Sequence, residues 1–269
     1  MLARKLRLGA GSVQGMTDIL GHEVVGTGEQ RLVLMNDWLC DTTTWQSARA
    51  YLDASKFSWC FADLRGYGRS RGHKGSFTVT EAAKDMLALA DWLGWQRFVI
   101  VGHSMSTYVA MHLAQHWNAR IEKVVLVTPG PPRGFGADAA WLENAQADTR
   151  DDAKRSEAVR NRFAGRLSPG WGEYKRKRWL AVSDPDAAAA YIAMYARDGL
   201  PTPDASIDVP VLAVTGEEDA PAMRQPAVLE NLAPLCSNLE ITALTQCGHY
   251  PMEEMPPLTV SIIEHFCSK

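Results

Sequence analysis

Short apolar runs that alternate with helical stretches constrain the fold of this chain more than any other feature. Several runs are apolar throughout, which is typical of strands buried on both faces of a parallel sheet. The predicted strands are Leu32–Met35, Phe57–Ala62, Phe98–Val101, Val124–Val127, Val209–Val214 and Leu239–Ala243. Between the second and third of them, Thr78 and Glu81 form a candidate capping box, and Gly94 ends the helix that they begin. The alternation predicts a three-layer α/β/α fold with a mostly parallel sheet.

The alternation breaks between residues 135 and 199. The candidate helices of this segment, which has no convincing strand, are Ala137–Ala147, Asp151–Ala164, Tyr174–Val182 and Pro185–Ala196. Because the strand pattern resumes at Val209, the simplest interpretation is a helical cap inserted between two strands of one sheet. We therefore expect an N-terminal extension over residues 1–16, a core formed by residues 17–134 and 200–269, and a cap over residues 135–199.

Composition argues against several classes of partner. The net charge is −3, so neither nucleic acid nor an anionic membrane surface is expected to bind. The chain has no run of about 18 apolar residues and no apolar segment typical of a secretory signal. Its five cysteines are scattered without a CxxC pair, which supports neither a zinc site nor a disulfide framework. We expect a cytoplasmic monomer or homodimer that acts on a small-molecule substrate without a cofactor or metal.

The most informative stretch is Phe98–Ser106, which reads FVIVGHSMS. An apolar strand leads into Gly-His-Ser-Met-Ser, and a helical pattern follows. This is the context of a nucleophile elbow, in which a tight turn exposes a serine hydroxyl at a helix N-terminus. The usual motif is G-x-S-x-G, and Ser106 takes the place of its last glycine. Ser104 is the predicted nucleophile, although a plain strand–helix junction with an N-cap serine would also fit these five residues.

A serine hydroxyl is a weak nucleophile and needs a base. Among the seven histidines, His249 stands out because it follows the last predicted strand. The loop after that strand is expected at the same sheet edge as the elbow. His103 is adjacent to Ser104 in sequence, and its side chain is expected to pack at the turn.

The base in turn needs a carboxylate that orients it. Asp219 follows the strand Val209–Val214 and is the preferred candidate, with Glu217 and Glu218 as alternatives. The nucleophile, the acid and the base then occur along the chain in the order typical of an elbow-type hydrolase.

From about Thr17 to Phe266 the chain resembles the α/β-hydrolase superfamily. The motifs that carry the resemblance are Asp63–Ser70, which is similar to D-x-R-G-x-G-x-S, the elbow Gly102–Ser106, the acid motif Gly216–Asp219 and the base motif Gly248-His249. The resemblance implies a catalytic triad of Ser104, Asp219 and His249, with the helical insertion as a lid. The stretch Asp63–Ser70 is interpreted as a structural loop.

The oxyanion loop departs from the family. Members usually carry His-Gly after the strand that precedes the first main helix, and Asn36 and Asp37 stand at those places. By this alignment the backbone N–H groups of Trp38 and Met105 would hold the oxyanion. A carboxylate at position 37 would oppose the charge that such a hole stabilises, unless the side chain points away.

Large apolar side chains in the predicted cap favour a hydrophobic acyl or alcohol group. Packing between cap and core is the simpler explanation for any one of them. The candidate pocket residues are Asn36, Asp37, His103, Trp141, Trp179, Tyr195 and Tyr250. The basic run Lys175–Arg178 is interpreted as a solvated face of a cap helix.

These features predict a serine hydrolase of the carboxylic ester hydrolase class, which cleaves a small, mainly hydrophobic ester or lactone through an acyl-enzyme. The resemblance also implies that Ser104 argues against haloalkane dehalogenases and epoxide hydrolases, since these place an aspartate at the elbow. The main alternative is a C–C bond hydrolase of a diketone-like acid. A cofactor-free oxygenase and a ligand receptor with a vestigial triad are weaker alternatives, which the altered oxyanion loop keeps open.

Overall fold

A computed structural model describes residues 19–154, 157 and 166–269. Within them, seven strands form one sheet in the order β1-β3-β2-β4-β5-β6-β7. The strands are β1 (His22–Val25), β2 (Gln30–Leu34), β3 (Phe57–Ala62), β4 (Phe98–His103), β5 (Ile121–Val127), β6 (Val211–Gly216) and β7 (Leu239–Leu244). β1 pairs antiparallel with β3, and the other strand pairs of the described sheet are parallel. The predicted α/β fold is confirmed, whereas the predicted extension 1–16 lies outside the described residues.

Burial explains which strands the sequence revealed. Every residue of β3, β4 and β6 is buried, so both faces of these strands are covered and their sequences are mainly apolar. The edge strand β1 reads HEVV and is largely half-exposed. An edge strand needs no continuous apolar run, which is why the sequence pattern did not reveal β1.

The helices follow the predicted order. They are α1 (Val79–Trp92), α2 (Thr107–His116), α3 (Ala139–Asp148), α4 (Pro169–Val182), α5 (Pro185–Ala193), α6 (Gln225–Leu232), α7 (Pro251–Glu254) and α8 (Pro256–Ser268). A π-helical turn, Met194–Asp198, continues α5. Helices α3, α4 and α5 fall within the segment expected to form a cap, and most of the predicted helix Asp151–Ala164 lies outside the described residues. Each described helix is too short or too polar to cross a membrane.

The N-terminus of α1 shows how the capping prediction is realised. The Thr78 hydroxyl accepts a hydrogen bond from the Glu81 N–H at 3.2 Å. The Glu81 carboxylate accepts in return from the N–H of Phe77 at 2.7 Å, one residue earlier than in a standard capping box. The reciprocal cap therefore also fixes the residue at which the chain enters the helix.

A buried ion pair joins α4 to the helix α7 that follows His249. Lys175 Nζ lies 2.8 Å from Glu253 Oε1, and these side chains are only 3% and 6% exposed. The ammonium group also lies 4.0 Å from the centre of the Tyr250 ring. The prediction that the basic run is solvated is therefore wrong for Lys175, because this side chain points toward the core.

Lys175→Met is expected to lower the free energy of unfolding by about 3–5 kcal/mol, because it leaves the buried Glu253 without its partner. The double variant Lys175→Met/Glu253→Gln is expected to recover most of that loss. Urea denaturation measures both. Lys177→Met is the matched control, since Lys177 lies on the same helix and its side chain is 70% exposed. An equal loss in both single variants would contradict the prediction.

Candidate active site

Ser104 lies on a strained turn at the end of β4. Its φ is 52°, in the left-handed region that residues other than glycine rarely adopt. Gly102 makes the turn sterically feasible, because a Cβ atom there would lie 2.6 Å from the carbonyl oxygen of Ser106. Such strain persists only where the surrounding structure enforces it, and it is common at functional sites.

Ser106, at the place of the usual glycine, closes the turn with its hydroxyl group. The hydroxyl accepts a hydrogen bond from the His103 N–H at 2.9 Å and donates one to the His103 carbonyl oxygen at 3.1 Å. Both residues are fully buried. The departure from G-x-S-x-G therefore adds two hydrogen bonds that glycine could not make.

Side chains from three separate loops form a continuous hydrogen-bonded row. Ser104 Oγ lies 2.9 Å from His249 Nε2, and His249 Nδ1 lies 2.8 Å from Asp219 Oδ2. All three residues are buried, whereas Glu217 and Glu218 are exposed. The structure thus brings the three predicted residues together and leaves the two alternative acids in solvent.

His103 packs beside this row and contacts the loop that carries His249. Its Nε2 lies 2.7 Å from the backbone carbonyl oxygen of His249. Burial lowers the pKa of His103 to about 3, so its ring is neutral near pH 7. A neutral ring that carries its proton on Nε2 can donate it to that carbonyl oxygen.

Asp37 points into the site rather than away from it. Its Oδ1 accepts a hydrogen bond from the Trp38 N–H at 2.6 Å, and its Oδ2 accepts one from the Tyr250 hydroxyl at 3.0 Å. Oδ2 also lies 3.5 Å from His249 Nε2. The N–H that the sequence assigns to an oxyanion therefore contacts a carboxyl group in this structure. At the other altered position, the Asn36 side chain donates to the carbonyl oxygen of Ala62 at 3.1 Å.

A cavity of about 730 Å³, here called the Ser104 cavity, opens onto Ser104 and His249. Two of the predicted pocket residues, Trp141 and Tyr195, line it together with Trp38. The other five predicted pocket residues are not among the described residues that line the cavity: Asn36, Asp37, His103, Trp179 and Tyr250. All five residues are buried inside the protein. Trp179, for example, packs against Trp38, and the centres of the two rings lie 6.2 Å apart.

Sequence reasoning missed several lining residues. They include Tyr108, Phe135, Met223 and Arg224, and Glu218, which the sequence offered only as an alternative acid, lines the cavity as well. A signal for Tyr108 was present, because it lies four residues after Ser104, on a stretch read as a helix, and therefore on the same helical face. Phe135 and Met223 lie in connecting segments, where periodicity gives no direction.

Asp37, His103 and His249 could together hold a metal ion. One ligand atom from each lies within 4.8 Å of the others, and all three residues are buried. Two imidazoles and a carboxylate form a ligand set that several transition metals accept. In this structure the same side chains make hydrogen bonds within the chain, to Ser104, to Tyr250 and to the His249 backbone.

Comparison with protein families matches residues 32–262 to a family described as "Alpha/beta hydrolase family". A pimeloyl-acyl carrier protein methyl ester esterase from Nitrosospira multiformis is 26% identical over 259 residues, which cover 91% of this chain and 96% of that protein. The enzyme of the same name from Sodalis glossinidius is 31% identical over 170 residues, which cover 59% of this chain and 60% of that protein.

Among solved structures, the enol-lactonase from Burkholderia xenovorans LB400 superposes with a TM-score of 0.79 at 24% identity. The superposition covers 93% of this chain and 96% of the lactonase. At this level of identity the likeness shows a shared fold.

Ser106→Ala is expected to lower the free energy of unfolding by about 1–3 kcal/mol, because it leaves the buried His103 N–H without its acceptor. Thermal or urea denaturation measures the change. The control is Ser261→Ala, since Ser261 lies on the exposed face of α8 and donates to the carbonyl oxygen of Pro257. A Ser106→Ala protein as stable as the control would show that the hydroxyl is dispensable for the turn.

Proposed function

The chain belongs to the alpha/beta hydrolase family, and on that premise we propose that it is a serine hydrolase that cleaves an ester or lactone of a small, mainly hydrophobic substrate. The observation that carries the proposal is the contact of Ser104, His249 and Asp219 at the wall of the Ser104 cavity. The nucleophile, the base and the orienting acid of acyl transfer require these residue types in this order of contact.

In the proposed reaction His249 accepts the proton of Ser104 while Oγ attacks the substrate carbonyl carbon. Asp219 holds the N–H on Nδ1 and stabilises the imidazolium ion that forms. The backbone N–H of Met105, directly after the nucleophile, donates to the oxyanion, and Trp38 is the second candidate donor. His249 then protonates the leaving alcohol, and a water molecule activated by His249 releases the acyl group.

The cavity and the relatives support the type of substrate. The Ser104 cavity is large enough for a small organic molecule, and most of its lining is apolar, including Trp38, Met105 and Ile192. The names of the two curated relatives describe methyl ester esterases, which favours an ester as the bond that is cleaved.

We further propose that residues 135–199 act as the cap of this cavity. Helix α3 contributes Trp141 and Ala145 to its lining, and the π-helical turn after α5 contributes Tyr195 and Ala196. These side chains face the elbow from the cap segment, so the cap would determine which acyl groups fit.

A fluorophosphonate probe is expected to label the wild-type protein and to leave Ser104→Ala unlabelled. Turnover of a nitrophenyl ester is expected to fall at least about 10⁴-fold in the same variant, because the nucleophile is lost. Circular dichroism and the exposed-serine control Ser261→Ala exclude a loss caused by misfolding. Labelling that persists in Ser104→Ala would place the nucleophile elsewhere.

A series of nitrophenyl esters from acetyl to octanoyl tests the apolar cavity. We expect kcat/KM to rise with acyl length, because each added methylene buries apolar surface worth about 0.8 kcal/mol. Trp141→Ala is expected to change the ranking of the longer esters more than that of acetyl. A preference for the acetyl ester in both proteins would contradict a hydrophobic acyl site.

The alternative function has its own test. Conversion of a dienol diketone acid without ester turnover would favour the C–C hydrolase.

A further inference from the structure

The loop that carries His249 is fixed by hydrogen bonds to its backbone. The carbonyl oxygen of His249 lies 2.7 Å from His103 Nε2, and the carbonyl oxygen of Cys247 accepts from the Glu218 N–H at 2.9 Å. The proposed reaction needs this rigidity, because His249 Nε2 must stay within hydrogen-bond distance of Ser104 Oγ. The conformation of the loop therefore determines where the imidazole ring lies.

Glu254 binds the two backbone N–H groups on either side of His249. Its Oε2 accepts a hydrogen bond from the Gly248 N–H at 2.8 Å, and its Oε1 accepts one from the Tyr250 N–H at 3.0 Å. The side chain of Glu254 is only 3% exposed. A single buried carboxylate thus spans the residue that carries the base and holds the loop from both sides.

Arg166 connects the segment 135–199 to this carboxylate. Its Nη1 lies 2.5 Å from Glu254 Oε2. The guanidinium group also packs directly against the loop, since a Cβ atom at Gly248 would lie 2.1 Å from Arg166 Nη2. A buried carboxylate needs a partner for its charge, and the half-buried Arg166 supplies one.

The following inference rests on the proposed function. We propose that Arg166 is a positioning residue that acts through Glu254: it holds the carboxylate against the loop, and the carboxylate keeps His249 in line with Ser104. Arg166 is not among the described residues that line the Ser104 cavity. Its removal is therefore expected to slow the chemical step and to leave the binding of the substrate unchanged.

Loss of the guanidinium group would leave Glu254 as an unpaired charge in a buried place. The carboxylate would then turn toward solvent, or water would enter to solvate it, and either change weakens its two hydrogen bonds to the loop. The imidazole ring would sample orientations in which Nε2 lies farther from Ser104 Oγ. Such displacements matter, since misplacing a reacting group by about 1 Å can cost roughly 10²-fold in rate.

The pair also connects two distant parts of the chain. Arg166 belongs to the proposed cap, and Glu254 lies 88 residues further along, in the helix that follows His249. The alignment of the base therefore depends on where this part of the proposed cap lies. A second ion pair of the same segment, between Arg150 and Asp186, joins two exposed residues of the segment itself and makes no such connection.

The test measures kcat and KM for a nitrophenyl ester in the wild type and in variants of the pair. Arg166→Met is expected to lower kcat about tenfold and to leave KM within about twofold, because the base is misaligned while the cavity is unchanged. Arg166→Lys keeps a positive charge beside Glu254 and is expected to recover part of the loss. In the double variant Arg166→Met/Glu254→Gln the losses of the single variants are expected not to add, since both changes break the same contact.

A control and a second readout separate positioning from general stability. Arg150→Met removes an ion pair within the same segment and is expected to keep the wild-type kcat. Urea denaturation checks that each variant is folded under the assay conditions. Proton NMR follows the downfield resonance of the His249 Nδ1–H, which bonds to Asp219. This resonance is expected to shift or broaden in Arg166→Met and to stay unchanged in Arg150→Met.

Several outcomes would overturn the assignment. A folded Arg166→Met with wild-type kcat and an unchanged resonance would show that the pair does not position the base. A higher KM at unchanged kcat would show that Arg166 binds the substrate instead. Fully additive losses in the double variant would show that Arg166 does not act through Glu254. If Arg166→Met does not fold, Arg166→Lys and Glu254→Gln decide by the same two readouts.

Failure of the proposed function is distinguishable from failure of this inference. The wild type would then remain unlabelled by a fluorophosphonate, whereas the His249 resonance would still report whether Arg166 aligns the ring.

Discussion

The parallel pairing of the strands is the constraint on which the site depends. In a parallel sheet every strand ends at the same edge, so the loops that follow β2, β4, β6 and β7 meet there. These loops carry Asp37, Ser104, Asp219 and His249. A hydroxyl, an imidazole and two carboxyl groups can therefore come together although Asp37 and His249 lie 212 residues apart along the chain. The apolar interior of β4 and β6 stabilises this edge and leaves the loops free to carry chemistry.

A second set of contacts connects α4 with Asp37 through Tyr250. Lys175, the partner of Glu253, lies over one face of the Tyr250 ring, and the hydroxyl of the same ring contacts Asp37. The charge of Lys175 on α4 is thus linked, through a single aromatic side chain, to the carboxyl group beside His249. Charges this deeply buried need partners, which explains why the side chains are so closely packed.

The sequence revealed the parts of the site that local motifs encode. Ser104, Asp219 and His249 each follow a strand, and parallel topology alone predicts that they meet. The direction of the Asp37 side chain could not be predicted, because it depends on Tyr250, a partner far along the chain. Lys175 was misread for the same reason, since a run of four basic residues is usually solvated and its acidic partner lies 78 residues away. Strand β1 was not predicted because it lies at the edge of the sheet and has no continuous run of apolar residues.

The buried pair between α4 and α7 also restricts how α4 can move relative to the core. Moving α4 outward would expose an ammonium group and a carboxylate that now neutralise each other, so the pair holds this end of the proposed cap against the core. At the other side of this segment the side chains of Phe135 and Trp141 are 41% and 51% exposed. The side of the Ser104 cavity formed by Phe135 and α3 is therefore the side at which aromatic rings meet both the cavity and the solvent.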